Sequence, residues 1–167
     1  MSSAASLPGI LFRLPQVAAS PPMKRVSVRR SSIHGKGVFA LQTLAAGERV
    51  LEYLGLVTSW REAARHYAYR EVEGHTFLFG LSDGRVIDGG RGGNSARWLN
   101  HACRANCEAV EENGRIFIEV TRRIPAGKEL FIDYALEVPN VRQRKSLDDY
   151  RCRCGARTCR GSMLARV

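Results

Sequence analysis

Cysteine is the residue type whose spacing points most directly to chemistry in this 167-residue sequence. Cys152, Cys154 and Cys159 bring three thiols close together along the chain. Three soft ligands are one short of the tetrahedral set that a structural zinc ion takes. The fourth must come from elsewhere, and the two remaining cysteines are Cys103 and Cys107. The alternative is a group of free thiols in an arginine-rich tail.

The odd number of cysteines argues against a disulfide framework and for a reducing compartment. The apolar stretch over residues 7–19 is not read as a secretion signal, because Pro8, Arg13 and Pro15 interrupt it and no cationic segment precedes it. We therefore expect an intracellular protein, cytoplasmic if bacterial and nuclear if eukaryotic. Secretion into a host cell stays an open alternative.

Three further places in the sequence carry residues of types that bind ligands or take part in catalysis, but each also has an ordinary structural interpretation. Gly35 and Gly37 let a backbone approach a ligand closely, yet a single G-x-G is usually a β-turn and here lacks the strand–turn–helix context of a phosphate loop. Asn100 and His101 would ordinarily form a polar turn. Tyr134 would ordinarily be a core tyrosine that closes a strand.

The net charge of +10 is concentrated at the two ends of the sequence. Residues 1–30 sum to +5, residues 31–141 to −1 and residues 142–167 to +6. This distribution fits a catalytic domain with basic arms better than a protein built around a nucleic-acid groove. Arginine-rich ends that only keep the chain soluble are the alternative.

Short segments rich in β-branched and aromatic residues predict strands that would position these groups. They cover residues 26–28, 38–41, 50–53, 76–81, 86–87, 116–120 and 130–132. Asn113-Gly114 is the strongest hairpin signal, because both residues tolerate positive φ. The absence of βαβ alternation disfavours a parallel dinucleotide-binding sheet. No apolar run reaches the roughly 18 residues of a membrane span.

One helix is well marked. Ser59 and Glu62 have the spacing of a reciprocal capping box, in which each side chain bonds the backbone N–H of the other residue. A second short helical turn is expected over residues 94–99.

Five segments, in this order, resemble the SET-domain family of lysine methyltransferases. They are His34-Gly35-Lys36-Gly37-Val38-Phe39, Glu52-Tyr53-Leu54-Gly55, Arg97-Trp98-Leu99-Asn100-His101-Ala102-Cys103 with Asn106-Cys107, Glu129-Leu130-Phe131-Ile132-Asp133-Tyr134, and Arg151-Cys152-Arg153-Cys154 with Cys159-Arg160-Gly161. The last of these resembles the cysteine-rich segment that follows the SET domain in the family, the post-SET segment. Each motif is weak alone, but five with natural spacing make chance an unlikely source. Ala102 and Ala105 depart from the serine and proline that are common in the family.

The resemblance implies a mainly β, β-clip-like SET fold of several small sheets, with a pseudoknot, few short helices and a zinc-bound C-terminal tail. Residues 1–22 are expected to be a flexible leader. The SET domain is expected over residues 23–137, with a variable insert at about 59–85, and the post-SET segment over residues 138–167. Tyr67 and Tyr69 in the insert are expected either to line a peptide groove or to pack on the surface.

The resemblance also implies the site residues. S-adenosylmethionine would be held by His34, Gly35, Lys36, Gly37, Arg97, Trp98, Asn100, His101 and Tyr134. Tyr134 and Tyr53 would be catalytic, with Asp133 a structural neighbour and Trp98 a buried packing residue. The zinc ligands would be Cys103, Cys152, Cys154 and Cys159, which leaves Cys107 as a spare buried thiol.

The predicted function is S-adenosylmethionine-dependent N-methylation of lysine in a protein or peptide, with a histone tail or a similar basic protein as the expected substrate. A non-histone substrate is one alternative. The other is a non-catalytic SET-like protein whose basic ends bind nucleic acid. The oligomeric state is left open. Ile132 and Ala109 stand where relatives carry bulkier aromatic residues, which predicts room for more than one methyl group.

Overall fold

The computed structural model describes residues 24–68, 77–137 and 148–166. Within these ranges the chain forms ten short strands, one α-helix and two 3-10 turns. The strands are β1 (Val26–Arg30), β2 (Lys36–Ala40), β3 (Arg49–Tyr53), β4 (Leu56–Ser59), β5 (Leu78–Gly80), β6 (Arg85–Asp88), β7 (Asn100–His101), β8 (Cys107–Glu112), β9 (Arg115–Val120) and β10 (Glu129–Ile132). Helix α1 is Trp60–Ala68, and the 3-10 turns are Ser95–Trp98 and Asp148–Tyr150.

The strands form three small sheets, so the predicted mainly β fold is confirmed. Their orders are β1-β2-β10-β7, β3-β9-β8 and β4-β6-β5. All pairs are antiparallel except β7 and β10, which run parallel with Asn100 beside Phe131 and His101 beside Ile132. This parallel pair brings the Asn-His and Asp-Tyr motifs together. Threading of one segment through a loop, which defines a pseudoknot, stays a prediction.

The seven predicted strand segments coincide with strands, while β4, β7 and β8 were not predicted. Strand β8 contains three glutamates, which have low β propensity, and it is held in place by its neighbour β9. Strand β7 has only two residues, too few for any alternating pattern. The strand predicted over residues 76–81 forms only over Leu78–Gly80, as β5. Residue 76 lies outside the described ranges.

The hairpin prediction at Asn113-Gly114 is confirmed. These residues join β8 to β9 with φ values of 51° and 72°. Two successive positive φ values are the mark of a type I′ turn, whose twist matches that of paired strands.

The core is formed by buried side chains from all three sheets. Strand β9 contributes Ile116, Ile118 and Val120 at alternate positions, and β10 contributes Leu130 and Ile132. Each of these side chains is nearly inaccessible to solvent. Burying one aliphatic side chain of this size contributes about 1.5–3 kcal/mol, so this layer anchors the strand that leads to Tyr134.

Helix α1 starts where the sequence predicts, but only half of the capping box forms. The N–H of Glu62 donates to Oγ of Ser59 at 3.2 Å. The Glu62 carboxylate instead accepts from the Thr58 hydroxyl at 2.7 Å. Ser59 is the last residue of β4, where it pairs with Arg85, so its backbone is already placed by the sheet.

The insert is tied to the sheet through Asp88. The Tyr67 hydroxyl donates to Oδ1 of this fully buried carboxylate at 2.9 Å, and Arg91 Nε donates to Oδ2 at 2.7 Å. Tyr67 therefore anchors α1 to β6. Tyr69 lies outside the described residues. None of the described helices is long and apolar enough to cross a membrane.

Candidate active site and metal centre

Four residues predicted to hold the cofactor lie where the turn after β1 enters β2: His34 and Gly35 in the turn, and Lys36 and Gly37 at the start of the strand. We call residues 34–37 the β1–β2 loop. Gly35 has φ of 45°, a left-handed conformation that favours glycine. At Gly37 a Cβ atom would lie 2.0 Å from Oε1 of Glu129. Both glycines are therefore required by the shape of the loop and by its packing on β10.

Asn100 fixes this loop from the opposite side. Its Nδ2 donates to the carbonyl oxygen of Lys36 and to Oε1 of Glu129, each at 2.9 Å, and lies 3.3 Å from the carbonyl oxygen of His34. The second Glu129 oxygen accepts from the Ser31 hydroxyl at 2.9 Å. The amide nitrogen of Asn100 is thus engaged within the protein, which leaves its Oδ1 and its backbone for contact with a ligand.

Two cations and an aromatic ring lie beside the loop. Lys36 Nζ is 4.6 Å from the centre of the Trp98 indole, and the Arg97 guanidinium is 5.0 Å from the same ring. Trp98 is half-buried rather than buried as predicted, and the Phe77 ring also packs against it, with ring centres 4.9 Å apart. Arg97 Nε is buried with no hydrogen-bond partner in the described part of the chain. The cluster offers unused donors for an anionic group.

Tyr134 follows β10 and directs its hydroxyl inward. The hydroxyl donates to the carbonyl oxygen of Leu99 at 2.7 Å. Burial raises the pKa of Tyr134 to about 12, although the residue as a whole is 36% exposed. The two observations describe different ends, since the hydroxyl is enclosed while part of the side chain remains open to solvent. The phenol is therefore neutral at physiological pH.

Tyr53 at the end of β3 has the same kind of environment. Its hydroxyl donates to the carbonyl oxygen of Phe77 at 3.0 Å, and the residue is 7% exposed. Burial raises its pKa, and the neighbouring phenols of Tyr134 and Tyr67 raise it further. Both predicted catalytic tyrosines are thus neutral, with their protons committed to backbone carbonyls.

The four cysteines assigned as zinc ligands converge. The Sγ atoms of Cys103, Cys152, Cys154 and Cys159 all lie within 4.8 Å of one another. Sγ of Cys103 is 3.5 Å from Sγ of Cys152 and 3.8 Å from that of Cys159. A zinc–sulfur distance of about 2.3 Å requires tetrahedral edges of about 3.8 Å, so the four thiols fit this ion.

Cys107 is separate from this cluster. It belongs to the hydrophobic core at the start of β8, where burial raises its pKa to about 12. A thiol of this kind stays protonated and unreactive.

His101 connects the cysteine cluster to Tyr134. The backbone N–H of Tyr134 donates to Nδ1 of His101 at 3.1 Å, and Nε2 lies 3.4 Å from Sγ of Cys103. Burial lowers the pKa of His101, so the ring is neutral. Because Nδ1 accepts a bond, the proton sits on Nε2 and is donated to the sulfur.

A second connection runs through the ion pair of Arg160 and Asp133. The two guanidinium nitrogens contact the two carboxylate oxygens at 2.5 and 2.7 Å. The Arg160 guanidinium lowers the pKa of Asp133, which stays charged. The N–H of Arg160 also donates to Sγ of Cys103 at 3.3 Å. The tail is therefore joined directly to the residue that precedes Tyr134.

A family model described as the SET domain matches residues 35–135 of this chain. The chain belongs to the SET-domain family. The matched range contains the loop glycines, Asn100, His101, both tyrosines and Cys103, and the remaining cysteines of the cluster lie beyond it.

Several histone methyltransferases are similar in sequence to this SET-domain chain. Histone-lysine N-methyltransferase set-2 of Caenorhabditis elegans is 37% identical over 83% of this chain and 9% of its own length. Histone-lysine N-methyltransferase 2B of Homo sapiens is 35% identical over 81% of the chain and 5% of its own length. A histone-lysine N-methyltransferase of Debaryomyces hansenii, described as H3 lysine-4 specific, is 37% identical over 83% of the chain and 13% of its own length. The chain therefore spans only a small part of the length of these relatives.

The residues around the β1–β2 loop fit the cofactor that this SET-domain family implies. S-adenosylmethionine has a carboxylate and an adenine ring. Lys36 and Arg97 supply cationic donors for an anionic group, and Trp98 supplies an aromatic face. The buried Arg97 Nε without a partner is the kind of group that a ligand completes.

From the sequence, Glu129 and Asn106 stand out only as members of motifs and not for the positioning role that they have in the structure. Glu129 and Asn106 fix strand β10: Asn106 Nδ2 donates to the Glu129 carbonyl at 2.8 Å, and its Oδ1 accepts from the N–H of Phe131 at 2.7 Å. The signal available was the presence of polar residues next to predicted strands, since buried polar groups need partners. The Leu99 carbonyl that holds Tyr134 has no signal in the sequence.

Proposed function

We propose that this chain is a protein-lysine N-methyltransferase that uses S-adenosylmethionine and acts on a histone tail. The observation that carries the proposal is the pair of enclosed tyrosine hydroxyls, those of Tyr134 and Tyr53, in a chain that belongs to the SET-domain family. Each hydroxyl gives its proton to a backbone carbonyl, so each oxygen has lone pairs left for a substrate amine.

When bound, S-adenosylmethionine supplies a methyl group on a positively charged sulfonium. Tyr134 and Tyr53 would accept hydrogen bonds from the lysine nitrogen and so direct its lone pair toward that methyl group. Fixing two reactants in line converts an encounter in solution into a step within one complex. Neither phenol serves as the base, because both stay protonated at neutral pH.

The substrate ammonium must lose its proton before it can accept a methyl group. The burial that raises the pKa of Tyr134 disfavours charge in the same place, and so would lower the pKa of a lysine bound there. The proton would then leave through solvent on the open side of Tyr134. No dedicated carboxylate base is needed, and Asp133 is already paired with Arg160.

The cysteine cluster would hold zinc as a structural ion. Cys103, Cys152, Cys154 and Cys159 would be its ligands, and the closed set of four thiolates leaves no position for substrate. The N–H groups of His101 and Arg160 point to Sγ of Cys103, where they would stabilise a thiolate. The tail would thus be fixed next to Tyr134.

The proposed target is lysine 4 of histone H3, because relatives named for that specificity are similar to most of this chain. A histone substrate would place the reaction in the nucleus of a eukaryotic cell. The relatives are much longer than this chain, so parts that lie outside the matched region can also determine their specificity.

Labelled methyl transfer to recombinant histones tests the proposal. Incorporation into H3, lost when lysine 4 of the H3 substrate is replaced by arginine, is the expected result. Incorporation that survives this replacement would support the enzyme class but reject the target. A chain that binds S-adenosylmethionine and methylates neither histones nor any protein in a cell lysate would reject the proposal.

A further inference from the structure

A cavity of about 330 Å³ lies between the segment after β7, the turn before β10 and the cysteine-rich tail. Four of its lining residues are cationic: Arg104, Arg122, Arg123 and Lys128. We call this feature the basic cleft. None of the residues assigned to the cofactor or to catalysis lines it. It is therefore distinct from the proposed methyl-transfer site.

The four cations are exposed, and within the described ranges none of them forms an ion pair. Arg122 is held in place by the backbone: its guanidinium donates to the carbonyl oxygens of Arg104 and Ala105. A guanidinium bonded only to carbonyls keeps its full positive charge. The basic cleft is therefore a preformed group of positive charges.

The single acid in the lining forms no ion pair with these cations among the residues that the structure describes. Glu129 is 8% exposed, and its two oxygens accept bonds from the neutral side chains of Asn100 and Ser31. The four cations therefore outnumber one carboxylate that is already engaged.

The net charge of residues 31–141 is close to zero although the cleft is basic, because acidic residues elsewhere in the domain offset its cations. Glu112 and Glu119 pair with Arg49, and Glu52 pairs with Arg115, all on the β3-β9-β8 sheet. That sheet therefore carries an excess of acids, five glutamates against two arginines, while the basic cleft has four cations against the one carboxylate of Glu129.

The tail extends the positive surface. Cys154 and Ala156 form part of the lining, and the exposed Arg153 and Arg157 are their neighbours in the chain. Phe131 is the one aromatic residue in the lining and is half-buried. One ring cannot form the series of stacking surfaces that single-stranded bases use.

We propose that the basic cleft binds the phosphate backbone of double-stranded DNA without reading its sequence. Unpaired guanidinium and ammonium groups contact phosphates and release counterions, which accounts for most sequence-independent affinity. An enzyme anchored to DNA in this way would remain close to any basic protein that is bound to the same DNA.

Fluorescence anisotropy of the full chain with a labelled duplex tests this proposal at several salt concentrations. The variant Arg104→Gln/Arg123→Gln/Lys128→Gln leaves Arg122 and its backbone bonds intact. It should bind at least about tenfold more weakly, and the slope of log K against log salt should fall by about 2 to 3, since each neutralised phosphate contributes about 0.9. Zinc content and peptide methylation should stay unchanged, which shows that the variant is folded.

The matched control Arg30→Gln/Arg61→Gln/Arg65→Gln removes three exposed charges that do not line the cleft. It should keep most of the affinity and the slope. Equal losses in the two variants would overturn the proposal, since they would reflect total charge alone. Failure of the wild-type chain to bind the duplex would also overturn the proposal. So would loss of binding in Arg142→Gln/Arg144→Gln/Lys145→Gln but not in Arg104→Gln/Arg123→Gln/Lys128→Gln. Binding of a glutamate-rich peptide as tightly as the duplex would overturn it as well.

Discussion

The backbone N–H of Tyr134 donates to Nδ1 of His101, whose opposite nitrogen lies 3.4 Å from Sγ of Cys103. One imidazole ring therefore separates the proposed catalytic tyrosine from the proposed metal centre. The ion pair of Asp133 and Arg160 forms a second connection between the same two places. Breaking either connection should therefore disturb the position of Tyr134.

Replacing Arg160 tests this relation without removing a cysteine. Arg160→Gln should lower kcat for methyl transfer about tenfold, which corresponds to about 1.4 kcal/mol, because the strand that carries Tyr134 loses its paired anchor. Zinc content should stay near the wild-type value, since the N–H bond to Cys103 belongs to the backbone. Arg157→Gln, an exposed change in the same tail, is the control. Equal kcat values for the two variants would mean that the ion pair does not position Tyr134.

Metal analysis tests the cysteine assignment. Purified protein should contain about one zinc ion per chain, the content of a closed four-thiolate site. Cys152→Ser should lose the metal and most activity, whereas Cys107→Ser should keep both, because Cys107 lies in the core away from the cluster. Metal loss in Cys107→Ser but not in Cys103→Ser would show that the ligand set is wrong.

The raised pKa of Tyr134 has a consequence for the pH profile. With a pKa of about 12 rather than 10.0, the Tyr134 phenol stays neutral up to about pH 10. Its contribution to the stability of the folded protein is present below about pH 10 and is lost as the pH rises toward 12. The rate should therefore not fall between about pH 7 and 10, where loss of the substrate proton favours transfer. A fall in the wild-type rate with a midpoint between about pH 9 and 10 would indicate that Tyr134 has the ordinary pKa of a tyrosine.

Ile132 bears on the number of methyl groups added. It lies two residues before Tyr134, is 4% exposed and has no hydroxyl with which to hold a water molecule beside the substrate nitrogen. A methylated amine that must displace a well-ordered water molecule is disfavoured, so a site without such a water favours the addition of further methyl groups. The wild type should reach the dimethyl or trimethyl state at exhaustive turnover, and Ile132→Tyr should shift the product toward monomethyl-lysine. Mass spectrometry of a substrate peptide measures this, and a wild type that stops at one methyl group would refute it.

The local features of the fold could be predicted because they depend on neighbouring residues. The Asn113-Gly114 turn needs only two residues that tolerate positive φ, and strands such as β9 show a run of β-branched residues. Strands β7 and β8 could not be predicted, since their pairing partners, rather than their own composition, place them. Pairing across the sheet can override local propensity.

The site was predictable to the extent that its residues sit in motifs. The residues that hold those motifs in place lie far away in the sequence: Ser31 bonds Glu129 across 98 positions, and Arg160 bonds Asp133 across 27. Asp133 was expected to be structural, and its pairing with Arg160 agrees with that role. The partner itself could not be deduced, because any of the tail arginines has the same charge.

The proposed catalytic role of Tyr134 is tested most directly by comparing wild type, Tyr134→Phe and Tyr150→Phe in one experiment. Each is mixed with S-adenosylmethionine and an H3 tail peptide, cofactor affinity is measured by calorimetry, and peptide mass is followed over time. We expect similar cofactor affinity in all three proteins and methylated peptide with wild type and Tyr150→Phe. The rate for Tyr134→Phe should fall by about two orders of magnitude, the size expected when one preorganised reaction-site hydrogen bond is removed. Turnover by Tyr134→Phe at the wild-type rate would contradict this role.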